Sequence, residues 1–397
     1  MRVRTRLHVH EDETGYSSTS PRHGPLGLRR VGYNDRDGFN YLQRQNPQGD
    51  ALKDTGDRFL RACRRQRVDA TPVWFMRQAG RYMREYRALR ERHSLLDLCR
   101  TPDLATEVTL QPVRRIDVDA AILFSDLLLP LEPMGIRFDF IQGEGPAIDN
   151  PIQSAADVDR LRCFEPREAL SHVLDTIRQV KRELGGRVPL IGFAGAPFTL
   201  ASYAIEGGHS SSFARTKALM YGTPDAWHRL CHQLATVAAD YLSAQIEAGV
   251  DAVQVFDSWV GALNARDYRE FILPHSSRIF AALARHGVPT IHFGVGTSAI
   301  LGELREAGGD VIGADWRTPL DEAWERIGFD RAVQGNLDPT LLLGPIDRAI
   351  AGADDVLARA GGRPGHIFNL GHGILPSTPL EHVQALARFV HQRTRFA

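Results

Sequence analysis

The stretch that decides the fold is Pro72-Val73-Trp74-Phe75-Met76-Arg77-Gln78-Ala79-Gly80-Arg81-Tyr82. Its apolar first half predicts a short buried strand, which ends abruptly in two arginines placed around an amide and a glycine. Charge at the end of an apolar strand is typical of the active-site mouth of an α/β enzyme. The two guanidinium groups indicate an anionic ligand, either a carboxylate or a phosphate. The alternative is an exposed helix start whose arginines pair with Glu85 and Glu91.

Length and composition are those of a globular protein without an overall electrostatic bias. The chain has 397 residues, 43% hydrophobic and 24% charged, which suffices for one large domain or two ordinary ones. Lys+Arg and Asp+Glu both number 48, so no global field attracts nucleic acid or an anionic membrane. The four cysteines form no C-x-x-C pair, which suits a reducing cytosol and predicts a cytoplasmic location.

Residues 1–50 differ from the rest of the chain because they mix Arg, His, Asp, Ser, Gly and Pro without apolar periodicity. Such a segment buries too little apolar surface to offset its ordering entropy, so we expect a disordered N-terminal extension without an assigned role. An organelle transit peptide is one alternative, although the acidic run Glu11-Asp12-Glu13 disfavours it. A true start downstream of Met1 is the other. The predicted domain is residues 51–397.

From about residue 55, short apolar runs alternate with stretches of helical period. The predicted strands are Pro72–Met76, Asp119–Phe124, Val188–Phe193, Asp251–Phe256, Pro289–Phe293, Asp310–Ala314, Ala332–Gly335 and His366–Leu370. Helical stretches between and after them include Thr223–Ala248, Asp267–His286 and Pro379–Arg393. About eight such units predict an α/β fold, a single-domain (β/α)8 TIM barrel with helices around a parallel sheet.

An open doubly wound sheet is the alternative fold, but no Gly-x-Gly-x-x-Gly turn follows the first predicted strand. The segment Gly135–Pro146, with Ile136, Phe138 and Phe140 in alternation, predicts a hairpin inserted after the second strand.

A polar group or a glycine follows nearly every predicted strand, and in a barrel these positions line one pocket. The positions are Arg77, Arg81, Ser125, Asp126, Gly195, Pro197 and Thr199 (leading into Tyr203), Asp257, Ser258, Gly294, Gly296, Asp315, Asn336, Asp338, Gly371, His372 and Gly373. A ring of such groups indicates a ligand site, and the glycines allow the backbone to approach the ligand.

Some of these residues have simpler roles open to them. Asp126 and Ser258 are good helix N-caps, and Tyr203 lies on a helical stretch where packing is the ordinary role. His372 lies between two glycines, where it is poorly placed for core packing and well placed to reach a ligand.

Several catalytic motifs are absent from the sequence, which has no H-E-x-x-H, no Walker A loop and no Gly-x-Ser-x-Gly elbow. No cluster has the spacing of metal ligands. We therefore expect a chemistry that uses only protein side chains or a reactive substrate, in which aspartate and arginine transfer protons and stabilise charge.

Two long segments identify a family. Pro72–Arg87 (PVWFMRQAGRYMREYR) and Ile191–Gly208 (IGFAGAPFTLASYAIEGG) closely resemble the signature segments of uroporphyrinogen decarboxylases. Shorter similar stretches are Phe124-Ser125-Asp126, Phe256-Asp257-Ser258, Gln334–Pro339 and Asn369–Gly373. The resemblance covers roughly residues 52 to 395. One departure is Met83-Arg84, where the family commonly has Leu-Pro, and it should affect the rigidity of a helix start more than the chemistry.

The resemblance implies a cytosolic homodimer without cofactor that removes CO₂ from the four acetate side chains of uroporphyrinogen III, giving coproporphyrinogen III. Matched by position, it implies substrate-binding roles for Arg77, Gln78, Ala79, Gly80, Arg81, Asp126, Tyr203, Ser258 and His372. Asp126 is expected to accept pyrrole N–H groups and to stabilise a protonated pyrrole. Arg77 is its expected partner in proton delivery, although a free arginine is a poor acid.

Two rival functions remain open on the sequence. A corrinoid methyltransferase of the same superfamily holds zinc with His-x-Cys and a distant cysteine, but here the fifth strand ends His292-Phe293-Gly294 and the eighth has no cysteine. A non-catalytic tetrapyrrole-binding barrel is the other rival, and only a turnover measurement separates it from an enzyme.

Overall fold

The apolar, β-branched runs form a parallel sheet with a separate hairpin, seen in a computed structural model that describes residues 56–141 and 145–395. The strands are β1 Ala121–Ile122, β2 Phe138–Ile141, β3 Gly145–Ile148, β4 Leu190–Gly195, β5 Ala252–Asp257, β6 Thr290–Gly294, β7 Val311–Gly313, β8 Ala332–Leu337 and β9 His366–Leu370. Seven of them pair in parallel in the order β1-β4-β5-β6-β7-β8-β9. The predicted barrel-type parallel fold is confirmed.

The segment that opens the first motif lies between the two edges of this sheet. Val73 forms a parallel bridge with Phe368 in β9, and the amide of Phe368 donates to the Pro72 carbonyl at 2.9 Å. On the other side, the amide of Asp119 donates to the Val73 carbonyl at 2.7 Å. Pro72–Met76 thus fills the eighth strand position, although its regular pairing is a single bridge and not the full predicted strand.

The predicted hairpin is present. β2 and β3 pair antiparallel, from Phe138 opposite Ile148 to Ile141 opposite Gly145. The hairpin follows β1, which holds the second barrel position, and its strands begin and end a few residues later than the segment Gly135–Pro146.

Helices follow the strands in the α/β pattern. They are α1 Arg58–Cys63, α2 Arg84–Arg90, α3 Leu95–Arg100, α4 Pro102–Arg115, α5 Ala155–Val158, α6 Pro166–Ala169, α7 Ser171–Leu184, α8 Pro197–Glu206, α9 Ala214–Gly222, α10 Pro224–Ala248, α11 Ala265–Phe271, α12 Leu273–Leu283, α13 Leu301–Ala307, α14 Leu320–Ile327, α15 Ile346–Ala360 and α16 Leu380–Thr394. The predicted helix over Asp267–His286 is divided between α11 and α12, because Pro274 has no N–H for a continuous helix and belongs in a first turn.

A buried charge network closes the amino-terminal end of the barrel. The carboxylate of Asp119 accepts hydrogen bonds from the Val73 amide at 2.7 Å, from Arg58 at 2.6 Å and from Nε2 of His391 at 2.7 Å. Arg58 also pairs with Asp69. The network fixes the first strand segment against β1 and α16 and leaves the opposite end of the barrel for the ligand.

No helix among residues 56–141 and 145–395 is long and apolar enough to cross a membrane. The expected disordered extension, residues 1–50, lies outside the described residues.

Candidate active site

One cavity of about 1280 Å³ lies at the carboxyl ends of the strands. Seven residues predicted from the strand ends line it together: Arg77, Arg81, Ser125, Asp126, Ser258, His372 and Gly373. Ala79 and Gly80, in the turn between the two arginines, line it as well. The topology therefore brings together side chains that are almost 300 residues apart in sequence.

Asp126 lies in the loop after β1, inside the cavity wall. The Phe124 amide donates to Thr109 Oγ1 at 2.9 Å, which fixes the start of this loop, and Oδ1 of Asp126 accepts from the Leu128 amide at 2.9 Å. Desolvation raises the pKa of Asp126 to about 6, against the lowering effects of the Leu128 N–H and the Arg77 charge. The carboxylate thus titrates close to neutral pH, as an acid or base in a reaction site does.

Arg77 occupies a backbone conformation that is unusual for a residue with a side chain, with φ of 58°. Its neighbour Met76 is held by hydrogen bonds from the Met76 amide to Oδ1 of Asn369 at 3.1 Å and from the Ile374 amide to the Met76 carbonyl at 2.9 Å. A Cβ atom on Gly373 would lie 2.4 Å from Cδ of Arg77, so a glycine is required where the arginine crosses the last loop. The turn is built to aim this guanidinium into the cavity.

Neither Arg77 nor Arg81 forms an ion pair with a carboxylate among the residues that the structure describes. The pairing with Glu85 and Glu91 that was the alternative for this segment is not formed, and Glu85 pairs with Arg115 instead. Both arginines are exposed in the cavity. Their charge is therefore available to an anionic ligand.

His372 presents a hydrogen-bond donor to the same cavity. The Gly373 amide donates to Nδ1 of His372 at 2.6 Å, so the proton of the neutral ring is on Nε2. Burial and the charges of Arg77 and Arg317 lower the pKa of His372 to about 4, against the opposing charge of Asp315. The ring is neutral at physiological pH and can donate from Nε2 to a carboxylate.

Residues 54–393 match the family model described as uroporphyrinogen decarboxylase (URO-D). The uroporphyrinogen decarboxylase of Sorangium cellulosum is 59% identical over 339 residues, which cover 85% of this chain and 97% of that protein. The enzyme of the same name from Carboxydothermus hydrogenoformans is 55% identical over 336 residues, covering 85% and 96%. The chain belongs to the uroporphyrinogen decarboxylase family. It is a decarboxylase of porphyrin biosynthesis.

Among solved structures, a methyltransferase from Methanosarcina mazei has a TM-score of 0.72 and 21% identity, covering 85% of this chain and 98% of that one. This likeness shows a shared fold and nothing more. In this chain, His292 is fully buried and its Nδ1 lies 3.2 Å from the Leu304 carbonyl oxygen, so the ring faces the protein interior.

Of the nine residues with implied substrate-binding roles, Gln78 and Tyr203 do not line the cavity, and the strand-end positions Gly195, Pro197, Thr199, Asp257, Gly294, Gly296, Asp315, Asn336, Asp338 and Gly371 do not line it either. The side chain of Gln78 is fully buried, where Oε1 accepts from the Phe75 amide and Nε2 donates to the Ala120 carbonyl, both at 3.1 Å. Tyr203 packs against Trp259 with ring centroids 3.9 Å apart. Burial and the charge of Asp126 raise the pKa of Tyr203 to about 12, against the charge of Arg77. Gln78 shapes the arginine turn, and Tyr203 lies near enough to Asp126 and Arg77 for both charges to act on its hydroxyl.

The sequence reasoning missed three further arginines in the cavity lining, Arg87, Arg90 and Arg92. Arg87 donates to the carbonyls of Arg81 and Tyr82, both at 2.9 Å, and Arg90 to the carbonyl of His93 at 2.7 Å. Their positive charge is not neutralised by these neutral acceptors. The spacing of three residues between Arg87 and Arg90, one turn of helix, was the available signal.

Proposed function

We propose that this cavity binds uroporphyrinogen III and removes the carboxyl groups of its four acetate side chains, giving coproporphyrinogen III. The observation that carries the proposal is one cavity holding unpaired arginines, Arg77 and Arg81, together with a carboxylate, Asp126, whose pKa is about 6. We further propose that the chain acts as a homodimer in the cytoplasm, which the family membership supports.

The substrate carries eight carboxylates, whereas the protein has no net charge. Local cations must therefore hold it, and the guanidinium groups of Arg77 and Arg81 match carboxylates in two-pronged hydrogen bonds. The three further arginines of the lining extend the positive surface. His372 adds a neutral donor, which binds a carboxylate without a change of protonation.

Asp126 binds the centre of the tetrapyrrole ring. The four pyrrole N–H groups of a flexible porphyrinogen can point to one side, and a single carboxylate can accept several of them. At the pH of the cytoplasm a group with a pKa near 6 is mostly ionised. Asp126 thus binds the neutral macrocycle and stabilises a positive charge that develops on it.

The chemical step uses the substrate ring as the electron sink, so we assign no metal and no organic cofactor. A proton adds to the pyrrole carbon adjacent to the acetate-bearing position and makes the ring cationic. The bond between the acetate methylene and its carboxylate then breaks, CO₂ leaves, and the electron pair moves into the ring. A proton adds to the exocyclic methylene to give the methyl group and the first proton leaves, so each CO₂ consumes one proton.

We assign proton delivery to Arg77 and Asp126 as a pair. The charge of Arg77 acts on the Asp126 carboxyl, and an isolated arginine is too weak an acid for the step. A carboxyl group with a pKa near the working pH exchanges its proton readily. Arg77 meanwhile holds the acetate that reacts.

Four rounds of the reaction require the outer carboxylates to be held in several orientations. Ser258 lines the cavity, and Tyr203 packs against Trp259 within reach of the charges of Asp126 and Arg77. We assign Ser258, Tyr203 and His372 to these outer contacts, with Gln78, Ala79 and Gly80 forming the turn that places the two arginines.

The test is anaerobic incubation of the purified protein with uroporphyrinogen III, followed by oxidation and chromatography of the porphyrins. We expect the octacarboxylate to be converted into the tetracarboxylate through intermediates with seven, six and five carboxyl groups. The Asp126→Asn protein, assayed in parallel, controls for non-enzymatic decarboxylation. Tight binding without any turnover would make the chain a tetrapyrrole-binding protein and would refute the proposal.

A further inference from the structure

Two buried polar atoms that face each other lack hydrogen-bond partners among the described residues. The atoms are Oδ2 of Asp257 and Nε2 of His292. Both side chains are fully buried, with 0% exposure. Buried polar groups without a partner are rare in native proteins, because losing the hydrogen bonds to water is costly. Two such atoms side by side indicate a common partner.

The geometry of His292 identifies that partner. Its Nδ1 lies 3.2 Å from the Leu304 carbonyl oxygen and therefore carries the hydrogen. Nε2 then has a lone pair, and it faces Oδ2 of Asp257 at 4.0 Å. Two acceptors at this distance cannot bond to each other, whereas one water molecule can donate a hydrogen bond to each.

Tyr268 belongs to the same environment. Burial and the charge of Asp257 raise the pKa of Tyr268 well above its ordinary value, against a hydrogen bond with the Ser276 side chain. Asp257 therefore lies close enough to the Tyr268 hydroxyl for its charge to act there, and the Tyr268–Ser276 pair is a second polar contact in the same buried region.

The other oxygen of Asp257 is connected by hydrogen bonds to the residues that flank Ser258 in the cavity wall. Oδ1 accepts from the Thr199 hydroxyl at 3.0 Å, and Thr199 Oγ1 accepts from the Trp259 amide at 3.3 Å. The carboxylate and the threonine thus clamp the two residues on either side of Ser258. Because the Trp259 ring packs against Tyr203, the same clamp fixes Tyr203.

We propose that Asp257 and His292, joined by a buried water, are positioning residues that act through Thr199 to hold Ser258 and Tyr203 against the outer carboxylates of the substrate. The effect on catalysis rests on the function proposed above. Loss of the clamp loosens the outer contacts and leaves Asp126 and the arginines unchanged, so a substrate is released before all four rounds are complete.

The kinetic test is Thr199→Val, which keeps the side-chain shape and removes the hydroxyl. One lost hydrogen bond changes the ratio of release to further reaction by about fivefold, so we expect about fivefold more hepta-, hexa- and pentacarboxylate products, with the first decarboxylation changed less than the last. Thr199→Ser restores the hydroxyl and should restore the product profile.

Thr290→Val is the matched control at the other end of the barrel. The Thr290 hydroxyl donates to Asp310 Oδ2 at 2.9 Å and accepts from the Asp310 amide at 3.2 Å, the same pattern as in Thr199. A merely structural role for Thr199 would make both valine variants less stable with the same product profile as the wild type. That result would overturn the proposal.

The bridge itself is tested in the wild-type protein without substrate. Nitrogen NMR of histidine-labelled protein, with the His292 signal assigned through His292→Gln, should show a neutral ring that carries its proton on Nδ1. A ring protonated on both nitrogens would mean an ion pair with Asp257 and would overturn the bridge. Should the wild type fail to decarboxylate uroporphyrinogen III, the proposed function fails, and the NMR result still decides on the bridge.

Discussion

The two ends of the barrel each hold a carboxylate that follows the first strand segment in sequence, and they treat it in opposite ways. At the amino-terminal end, Asp119 accepts from Arg58 at 2.6 Å and from His391 at 2.7 Å. At the carboxyl end, the carboxylate of Asp126 accepts from one amide of the described residues, that of Leu128. The cations nearest to it, including Arg77, form no ion pair among the residues described.

The difference shows which charged side chains are free to bind a ligand. A buried charge that is fully paired contributes to a defined structure and has no capacity left for a ligand. Charges left unpaired at the carboxyl end remain available to an anionic ligand. The same division of roles between the two faces is general in barrel enzymes.

Breaking the amino-terminal network should have the largest effect. Asp119→Ala leaves Arg58 and His391 facing each other without their shared carboxylate, and removal of one partner from a buried pair costs about 3–5 kcal/mol. We expect the free energy of unfolding, measured in urea, to fall by this amount. The turnover of the folded fraction should stay at the wild-type level.

Asp69→Asn is the control for that variant. Asp69 also pairs with Arg58, but its side chain is 55% exposed, so its loss should cost less than about 1 kcal/mol. Equal unfolding midpoints for Asp119→Ala and the wild type would show that the buried network does not stabilise the barrel.

Asp126→Asn should have the opposite pattern, with activity lost and stability gained. An amide cannot stabilise a developing cation, and a loss of about 3 kcal/mol lowers turnover roughly a hundredfold. Because burial raises the folded-state pKa of Asp126 from 3.8 to about 6, ionisation destabilises the fold progressively as the pH rises from about 4, and the effect is complete above about pH 6. The asparagine variant should therefore be more stable by up to about 3 kcal/mol at pH 7.5 and equal to the wild type below about pH 4.

Glu91, the other carboxylate that lines the cavity, is exposed and serves as the control. Glu91→Gln should keep nearly normal turnover. A folded Asp126→Asn protein with normal activity would remove Asp126 from the mechanism.

Of the two ends of the barrel, only the carboxyl end could be predicted from the sequence. Strand ends marked Arg77, Asp126 and His372 because the carboxyl ends of parallel strands must meet at one face, whatever the loops between them do. Periodicity also predicted the hairpin, since alternating apolar residues have few other folds.

What the sequence could not show depends on contacts between distant segments. Gln78 lies inside the arginine motif, but its side-chain amide forms hydrogen bonds with the backbone N–H of Phe75 and the backbone carbonyl of Ala120, and so does not face the ligand site. The network around Asp119 joins α1, β1 and α16, and no local pattern marks such a meeting. The break between α11 and α12 was readable from Pro274 and was overlooked.

The pH dependence of stability should separate the two ends further. Burial disfavours a charged His391, but its hydrogen bonds to Asp117 and Asp119 raise its pKa to about 9, from 6.5. A raised folded-state pKa gives a contribution that is complete below about pH 6.5 and is lost as the pH rises through 9. We expect the wild type to lose roughly 2–3 kcal/mol of unfolding free energy between pH 6.5 and 9.5. His391→Gln should remove this loss, and an unchanged slope in that variant would assign it to another group.

The smallest effect expected is also the most specific to the open end. Lysine at position 77 or 81 keeps the charge and loses the two-pronged contact with a carboxylate. We expect kcat/KM for uroporphyrinogen III to fall about tenfold in Arg77→Lys and in Arg81→Lys, which corresponds to about 1.4 kcal/mol for each. Arg114→Lys is the control, because Arg114 pairs with Glu107 at 2.7 Å on the surface with both side chains nearly half exposed. Wild-type kinetics in both cavity variants would show that these arginines supply only positive charge. The carboxyl end of the barrel would then attract the substrate without binding its carboxylates in two-pronged hydrogen bonds.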